Sequence, residues 1–251
     1  MVTVADGTPG VVPSDRRRER VLSFGLFFNL VKVSTAAAAD REPGRGWQVP
    51  ELILASTSPR RRQLLTAAGL GHRATAPAFD DDAAASGIGG TASVRTRALA
   101  WMKAIATARR RRSEGPGGGL VLAADTLLAA DGRSVGKPAT QGDAERVLRS
   151  LANRGHEVWT GHALIDLATG RRLIWADVAE VRFGRLDETL LRRHLDREAW
   201  RGRAGGYSLD ELQHAGWAVE CHGDPETVLG LCTARVRRAI ALLEAGTDSL
   251  R

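Results

Sequence analysis

Hydrophobic residues in this chain fall into short unbroken runs and into stripes at helical spacing. The run Leu52-Ile53-Leu54-Ala55 stops at Ser56-Thr57-Ser58-Pro59, and an apolar run bounded so sharply reads as a buried strand. Ser58 followed by Pro59 predicts an N-cap with proline at the first helical position. A strand over 51–56 therefore feeds a helix over 58–68, with Leu64, Leu65 and Ala68 on its core side and Gly69 ending it. Residues 72–76 predict a second strand. Thr91 or Ser93 opens a long helix to Arg112, with Val94, Ala98, Met102, Ile105 and Ala106 as its apolar stripe. Residues 120–124 are wholly apolar and predict a central strand, with Asp125-Thr126 at its end. The chain stays extended over 127–130, and Asp131-Gly132 signals a hairpin.

The second half follows the same logic. Thr140 with Asp143 predicts a capping box opening a helix over 141–153. Residues 156–167 and 171–183 predict a long hairpin turned at Thr169-Gly170. Asp187 caps a helix over 188–195. A glycine-bearing loop over 203–207, a short strand over 217–221, a turn over 224–231 and a helix over 233–245 complete the pattern. Strands and helices alternate as in an α/β protein.

The first 48 residues differ in kind. A charge run over 15–20 precedes a mostly apolar stretch over 21–33 and then an Ala/Gly-rich stretch. That is the outline of a signal peptide, but the basic cluster lies well inside the chain and Asn29 and Lys32 interrupt the apolar part. The apolar part is also too short to span a bilayer. The expectation is a poorly ordered extension or an over-long start over 1–48, and one folded domain over 49–251.

Charge narrows the partners. The net charge of +7 favours anions: nucleotides, nucleic acids or membrane surfaces. Aromatic residues make up 5%, which leaves few stacking platforms for single-stranded nucleic acid. The run Arg109-Arg110-Arg111-Arg112 closes a helix, where positive charge complements the dipole, and reads as a solvated helix end. The two cysteines, Cys221 and Cys232, form no CxxC, so a reducing compartment such as the cytoplasm is expected. Six histidines show no HExxH, and no GxSxG occurs, which leaves zinc and serine hydrolases without support.

The chemistry points to polyphosphate. Backbone N–H groups at a helix start are unpaired and suit an anion. Arg60, Arg61 and Arg62 place three positive charges at the positive end of a helix dipole, a cost that an anion would relieve. Asp125 closing a buried apolar run is costly unless it has a partner or a task. Asp80-Asp81-Asp82 is an acidic cluster, which near a phosphate site makes sense through a divalent metal. Lys103 lies beside the apolar stripe of its helix and Lys137 is fixed between Gly136 and Pro138; both could clamp phosphates or simply solvate a surface.

Taken in order, these segments resemble the Maf family of nucleoside triphosphate pyrophosphatases. The resemblance runs over about 51–245 and rests on Leu54-Ala55-Ser56-Thr57-Ser58-Pro59-Arg60-Arg61, the acidic pair Asp80-Asp81, Lys103-Ala104, Ala124-Asp125-Thr126, Gly136-Lys137-Pro138, His156-Glu157-Val158-Trp159-Thr160-Gly161, Ala204-Gly205-Gly206-Tyr207 and Val228-Leu229-Gly230-Leu231. It implies an α/β fold with an elongated mixed sheet flanked by helices, and two lobes with a central cleft. It implies hydrolysis between the α- and β-phosphates with Mg²⁺ or Mn²⁺, and a homodimer. By resemblance Asp125 is the general base and a metal ligand, and Asp81, where the family usually has glutamate, is a metal or water ligand. Ser56, Arg60, Arg61, Lys103 and Lys137 line the phosphate and nucleotide site. Arg60 and Thr126 match members that prefer dTTP and UTP, whereas Asp210 stands where that branch has glutamine and the 7-methyl-GTP branch has glutamate. Cys232 replaces a proline expected after Gly-Leu, read as a packing change. The alternatives are a 7-methyl-GTP-type pyrophosphatase and a non-catalytic nucleotide-binding regulator of cell division. No stable nucleic-acid or membrane partner is expected.

Overall fold

A computed structural model describes residues 51–79, 88–115 and 117–245. The extension expected over 1–48 and the Asp80-Asp81-Asp82 cluster lie outside the described residues. The first strand, β1 (Leu52–Ala55), is buried at every position. Ser58 ends the turn that follows, its side chain accepting from the Arg61 N–H, and α1 (Pro59–Ala67) begins with proline as predicted. Gly69, at φ 66°, takes the left-handed conformation that ends the helix. After β2 (His72–Thr75) comes α2 (Ala92–Ser113), capped by Thr91.

The central strand is longer than the apolar run suggests. β3 spans Leu120–Ala130 without a break, so Asp125 sits mid-strand and not at a strand end. The reason lies in its neighbours. The whole of Leu120–Ala129 is paired antiparallel with β5 (Gly155–Asp166), which holds the polar pair Asp125-Thr126 in the ladder against Gly161 and Thr160. A turn with both central residues left-handed, Asp131 at φ 49° and Gly132 at φ 73°, leads to β4 (Arg133–Val135). Helix α3 (Gln141–Leu151) carries the full capping box of Thr140 and Asp143. β5 and β6 (Arg172–Phe183) form the long hairpin, and α4 (Glu188–Asp196) follows its Asp187 cap. A single 3₁₀ turn (Ala204–Gly206), α5 (Leu209–His214), β7 (Val219–His222), α6 (Pro225–Leu229) and α7 (Thr233–Ala245) complete the described chain. The sequence pattern did not distinguish α5, and α6 is one helical turn where only a turn was expected.

The strands make one seven-stranded mixed sheet in the order β2-β1-β3-β5-β6-β7, with β4 paired to β3. β1 is parallel to β2 and β3, and the remaining pairs are antiparallel. Even-numbered residues of β3 and β5 face one side. On that side Leu52, Leu54, Leu122 and Leu164 pack against Leu65 of α1 and Val236 and Leu243 of α7. Further along the same side, Leu128, Val158 and Phe183 pack against α3, α4 and α5. On the opposite side Ile53, Val121, Ala123 and Ala163 pack against Ala100, Ala104 and Ala108 of α2.

The α2 face differs from the expected stripe. Its buried residues are Thr96, Leu99, Ala100, Lys103, Ala104, Thr107 and Ala108, while Val94 is 43% exposed. Small residues at four-residue spacing let the helix approach the sheet closely, and Gly161 leaves the room: a Cβ there would lie 2.3 Å from the Thr96 carbonyl carbon. Close backbone approach, not side-chain size, selects the inward face. The arginine run at the end of α2 is solvated at Arg109 and Arg112, which are exposed, and its last three members also make contacts. Arg110 donates to Thr75 Oγ1 at 2.7 Å, Arg111 pairs with Glu114 at 2.7 Å, and Arg112 donates to the Leu167 carbonyl at 3.3 Å.

Candidate active site

The site forms where β1 ends. On one edge β3 pairs with β1 as far as Leu122 and with β4 from Leu128. Between those points, residues 123–127 have no strand partner on that side among the described residues, which leaves a gap between β1 and β4. A cavity of about 640 Å³ opens there, within the range of small-molecule sites. Ser56, Arg60, Arg61, Lys103, Asp125, Thr126, Lys137 and Asp210 all line it. Residues up to 154 positions apart in sequence thus meet in one place. Asp81 lies outside the described residues.

Alternation along β3 sends neighbouring residues to opposite faces. Asp125 faces α2, where Lys103 Nζ donates to its Oδ1 at 2.7 Å with both side chains nearly buried. Its Oδ2 has no hydrogen-bond partner among the described residues. A buried carboxylate is tolerable because the ammonium sits against it. Lys103 is itself brought inward by the tight Thr96–Ala108 face of α2.

Thr126 faces α1. Arg61 donates from Nη2 to Thr126 Oγ1 at 3.2 Å, from Nη1 to Ser56 Oγ at 3.3 Å and from Nε to the Gly230 carbonyl at 2.9 Å. Ser56 is buried and also accepts from the Ser58 N–H at 3.2 Å. The rigid guanidinium fork thus ties the β1–α1 corner to β3 and to the end of α6.

The far end of the cavity is polar in another way. Arg60 Nη2 lies 3.7 Å from Glu211 Oε1. Burial, then the charge of Arg203, pulls the Arg60 pKa below its ordinary value, while Asp210 and Glu211 oppose them. Arg203 holds Glu211 with two bonds, at 2.5 and 2.7 Å. Burial works to raise the Asp210 pKa, but the Ser208 hydroxyl, the Glu211 N–H and Arg60 outweigh it, so the carboxyl sits below its usual range. Nothing in the sequence pattern marks Arg203 and Glu211 as a pair. Arg203 lies in the loop before the 3₁₀ turn and Glu211 on α5, so no single element's pattern joins them. Lys137 is exposed at the rim.

A second group, Asp224, Glu226 and Cys232, carries the side-chain types of a metal site. Ligand atoms of Asp224, Glu226 and Cys232 lie within 4.8 Å of one another. Each is engaged in holding helix ends. Asp224 accepts from the Glu226 N–H and the Cys232 thiol at 2.9 Å each, and Glu226 accepts from the Thr233 N–H and hydroxyl at 2.7 Å each. Burial, then the hydrogen bond to Asp224, pushes the Cys232 thiol up to about 12, so with no ion beside it the thiol is protonated and donates to Asp224.

A cationic cavity at a parallel strand end, with one buried carboxylate at its floor, defines an α/β protein built to hold a polyphosphate. The family model described as Maf-like protein matches residues 51–243. The chain belongs to that family. It is 32% identical over 191 residues to the nucleoside triphosphate pyrophosphatase of Corynebacterium jeikeium, covering 76% of this chain and 93% of that protein. It is 34% identical over 210 residues to the dTTP/UTP pyrophosphatase of Rhodopirellula baltica, covering 83% and 89%. It is 35% identical over 161 residues to the dTTP/UTP pyrophosphatase of Desulforamulus reducens, covering 64% and 80%. Among the described residues no helix is long and apolar enough to cross a membrane.

Proposed function

We propose that this chain hydrolyses nucleoside triphosphates to a nucleoside monophosphate and pyrophosphate. The observation that carries the reading is the buried Lys103–Asp125 pair, 2.7 Å apart, on the floor of a cavity lined by Ser56, Arg60, Arg61 and Lys137. The names of the relatives from C. jeikeium and R. baltica support it. In this reading the arginines and Lys137 hold the triphosphate, and Lys103 fixes the orientation of Asp125. Asp125 takes a proton from a water through Oδ2 as the water oxygen attacks the α-phosphorus, and the bond to the bridging oxygen breaks with pyrophosphate leaving.

A divalent cation, Mg²⁺ or Mn²⁺, fits the donors present. Asp125 offers a hard carboxylate oxygen, and such ions take one or two carboxylates together with substrate phosphates. Asp81 is proposed as the second carboxylate from the sequence pattern. When bound, the ion supplies charge neutralisation at the phosphates. A homodimer and a reducing, cytoplasmic setting belong to the same reading.

The preferred bases are thymine and uracil, on the strength of Arg60 and Thr126 and of the dTTP/UTP relatives. One observation favours a second choice. Asp210 puts a carboxylate on the cavity, and a carboxylate only accepts hydrogen bonds. It suits the N–H edge of a guanine-like base, as in 7-methyl-GTP. Pyrophosphate release from a panel of nucleoside triphosphates with Mg²⁺ or Mn²⁺ decides between them. The same assay tests the mechanism: Asp125→Asn should lower kcat by about 10²–10⁴-fold, and undiminished turnover would refute the role of Asp125.

A further inference from the structure

Thr160 is fully buried on β5, directly across the ladder from Thr126. Its hydroxyl donates to the Thr227 carbonyl at 2.7 Å. It also lies 2.9 Å from Thr126 Oγ1. A hydroxyl has one proton to give. A carbonyl can only accept, so the Thr160 proton goes to Thr227, and the Thr126–Thr160 bond must be donated by Thr126. Thr126 then has only lone pairs left, and Arg61 Nη2 donates into one of them at 3.2 Å. The direction of every bond is fixed: Arg61 to Thr126, Thr126 to Thr160, Thr160 to the Thr227 carbonyl.

The other end of the guanidinium closes the ring. Arg61 Nε donates to the Gly230 carbonyl at 2.9 Å, three residues beyond Thr227. Gly230 is at φ 105°, and a Cβ there would come within 3.2 Å of Thr126 Oγ1 and 3.3 Å of Arg61 Nε. The end of α6 is therefore clasped twice, by Thr160 from the sheet and by Arg61 from α1. Arg61 lines the cavity, whereas Thr160 does not.

We infer that Thr160 is a positioning residue for the polyphosphate site: it orients the Thr126 hydroxyl so that Arg61 is held facing the phosphates. This rests on the pyrophosphatase reading above. Thr160→Val keeps the shape and removes the hydroxyl. Thr126 then loses its acceptor, its proton turns, and Arg61 loses a fixed partner. Arginine holds charge present in both substrate and transition state, so the loss falls on binding more than on turnover.

The test uses the full chain and two readouts. In steady-state hydrolysis, Thr160→Val should raise KM about tenfold with kcat within about threefold, and Thr160→Ser should restore KM to within about twofold. In calorimetry, the affinity for the uncleavable α,β-methylene analogue of UTP should fall about tenfold in Thr160→Val and recover in Thr160→Ser. Thr160→Ala against Thr160→Ser makes the same comparison if the valine variant does not fold. Unchanged affinity, with or without a lower Tm, would reduce Thr160 to a purely structural residue. So would equal weakening in the valine and serine variants. A wild-type protein that binds the analogue but releases no pyrophosphate would overturn the enzymatic reading alone, since the binding comparison still stands.

Discussion

Gly161→Ala is the sharpest test of how the fold positions the site. Gly161 sits on β5 opposite Asp125, under the start of α2. A methyl group there would lie 2.3 Å from the Thr96 carbonyl carbon, 2.4 Å from its oxygen and 2.5 Å from the Arg97 nitrogen. All three are backbone atoms, so no side chain can turn aside. Ordinary contact begins near 3.4 Å, so helix and strand must separate by about 1 Å. Overpacking of this kind costs about 3 kcal/mol, the upper end of its usual range, or about 10 °C in Tm for a domain of this size. Lys103 is two turns along α2 on the same face as Thr96. A rigid shift of about 1 Å would stretch its 2.7 Å bond to Asp125 beyond hydrogen-bond range. A misplacement of that size can lower turnover about 10²-fold. Urea denaturation and pyrophosphate release measure the two effects. Gly71→Ala is the control, since a Cβ there meets nothing within 4 Å. A Gly161→Ala protein with wild-type Tm and turnover would refute the close packing and the coupling built on it.

Acid should destabilise the fold through its buried histidines. Burial pushes His156 down to about 4, and burial followed by the charges of Arg61 and Arg235 pushes His162 down to about 3. The unfolded chain therefore binds more protons below about pH 6.5. Stability is full above that value and falls with pH, by about 2 kcal/mol per histidine at pH 5; an unchanged urea midpoint between pH 7 and pH 5 would contradict this. Asp210→Gln gives the cavity an amide that both donates and accepts. It should raise the ratio of kcat/KM for dTTP and UTP over GTP several-fold, and an unchanged ratio would remove Asp210 from base choice. A chain trimmed to Val49 should keep wild-type Tm and turnover, and loss of either would give residues 1–48 a role in the folded unit.

The elements that could be read from sequence are those fixed by local chemistry. Ser58-Pro59, Thr140 with Asp143, and Asp187 each cap a helix as predicted, because a cap is decided by residues a few positions apart. Sequence pattern and structure part where distant chain decides. The inward face of α2 depends on Gly161, 65 residues beyond Thr96, whereas apolarity alone favours Val94 over Ala100. The length of β3 depends on pairing with β5, so the polar pair Asp125-Thr126 looked like an end. The candidate site residues were recognisable by type and order, but Arg203 and Glu211 were not, since their pairing exists only once the loop before the 3₁₀ turn folds back on α5.

Placing Asp125 mid-strand explains why the adjacent pair Asp125-Thr126 serves one site. Successive strand residues point to opposite faces, and in an unbroken sheet they could not share a ligand. Here β1 stops at Ala55 and β4 begins pairing only at Leu128, so among the described residues no strand lies beside residues 123–127 on that side. Through that gap the cavity reaches the α2 side, with Lys103 and Asp125, and the α1 side, with Arg61 and Thr126. The β1–α1 corner supplies Ser56, whose hydroxyl accepts from Arg61, at the mouth of the same gap. Continuing the β1–β3 register by three more pairs, to Thr57 opposite Asp125, would bury Asp125 against backbone and separate the two halves of the site. The early end of β1, set by Ser56-Thr57-Ser58-Pro59, is therefore as much a part of the chemistry as the charged residues it exposes.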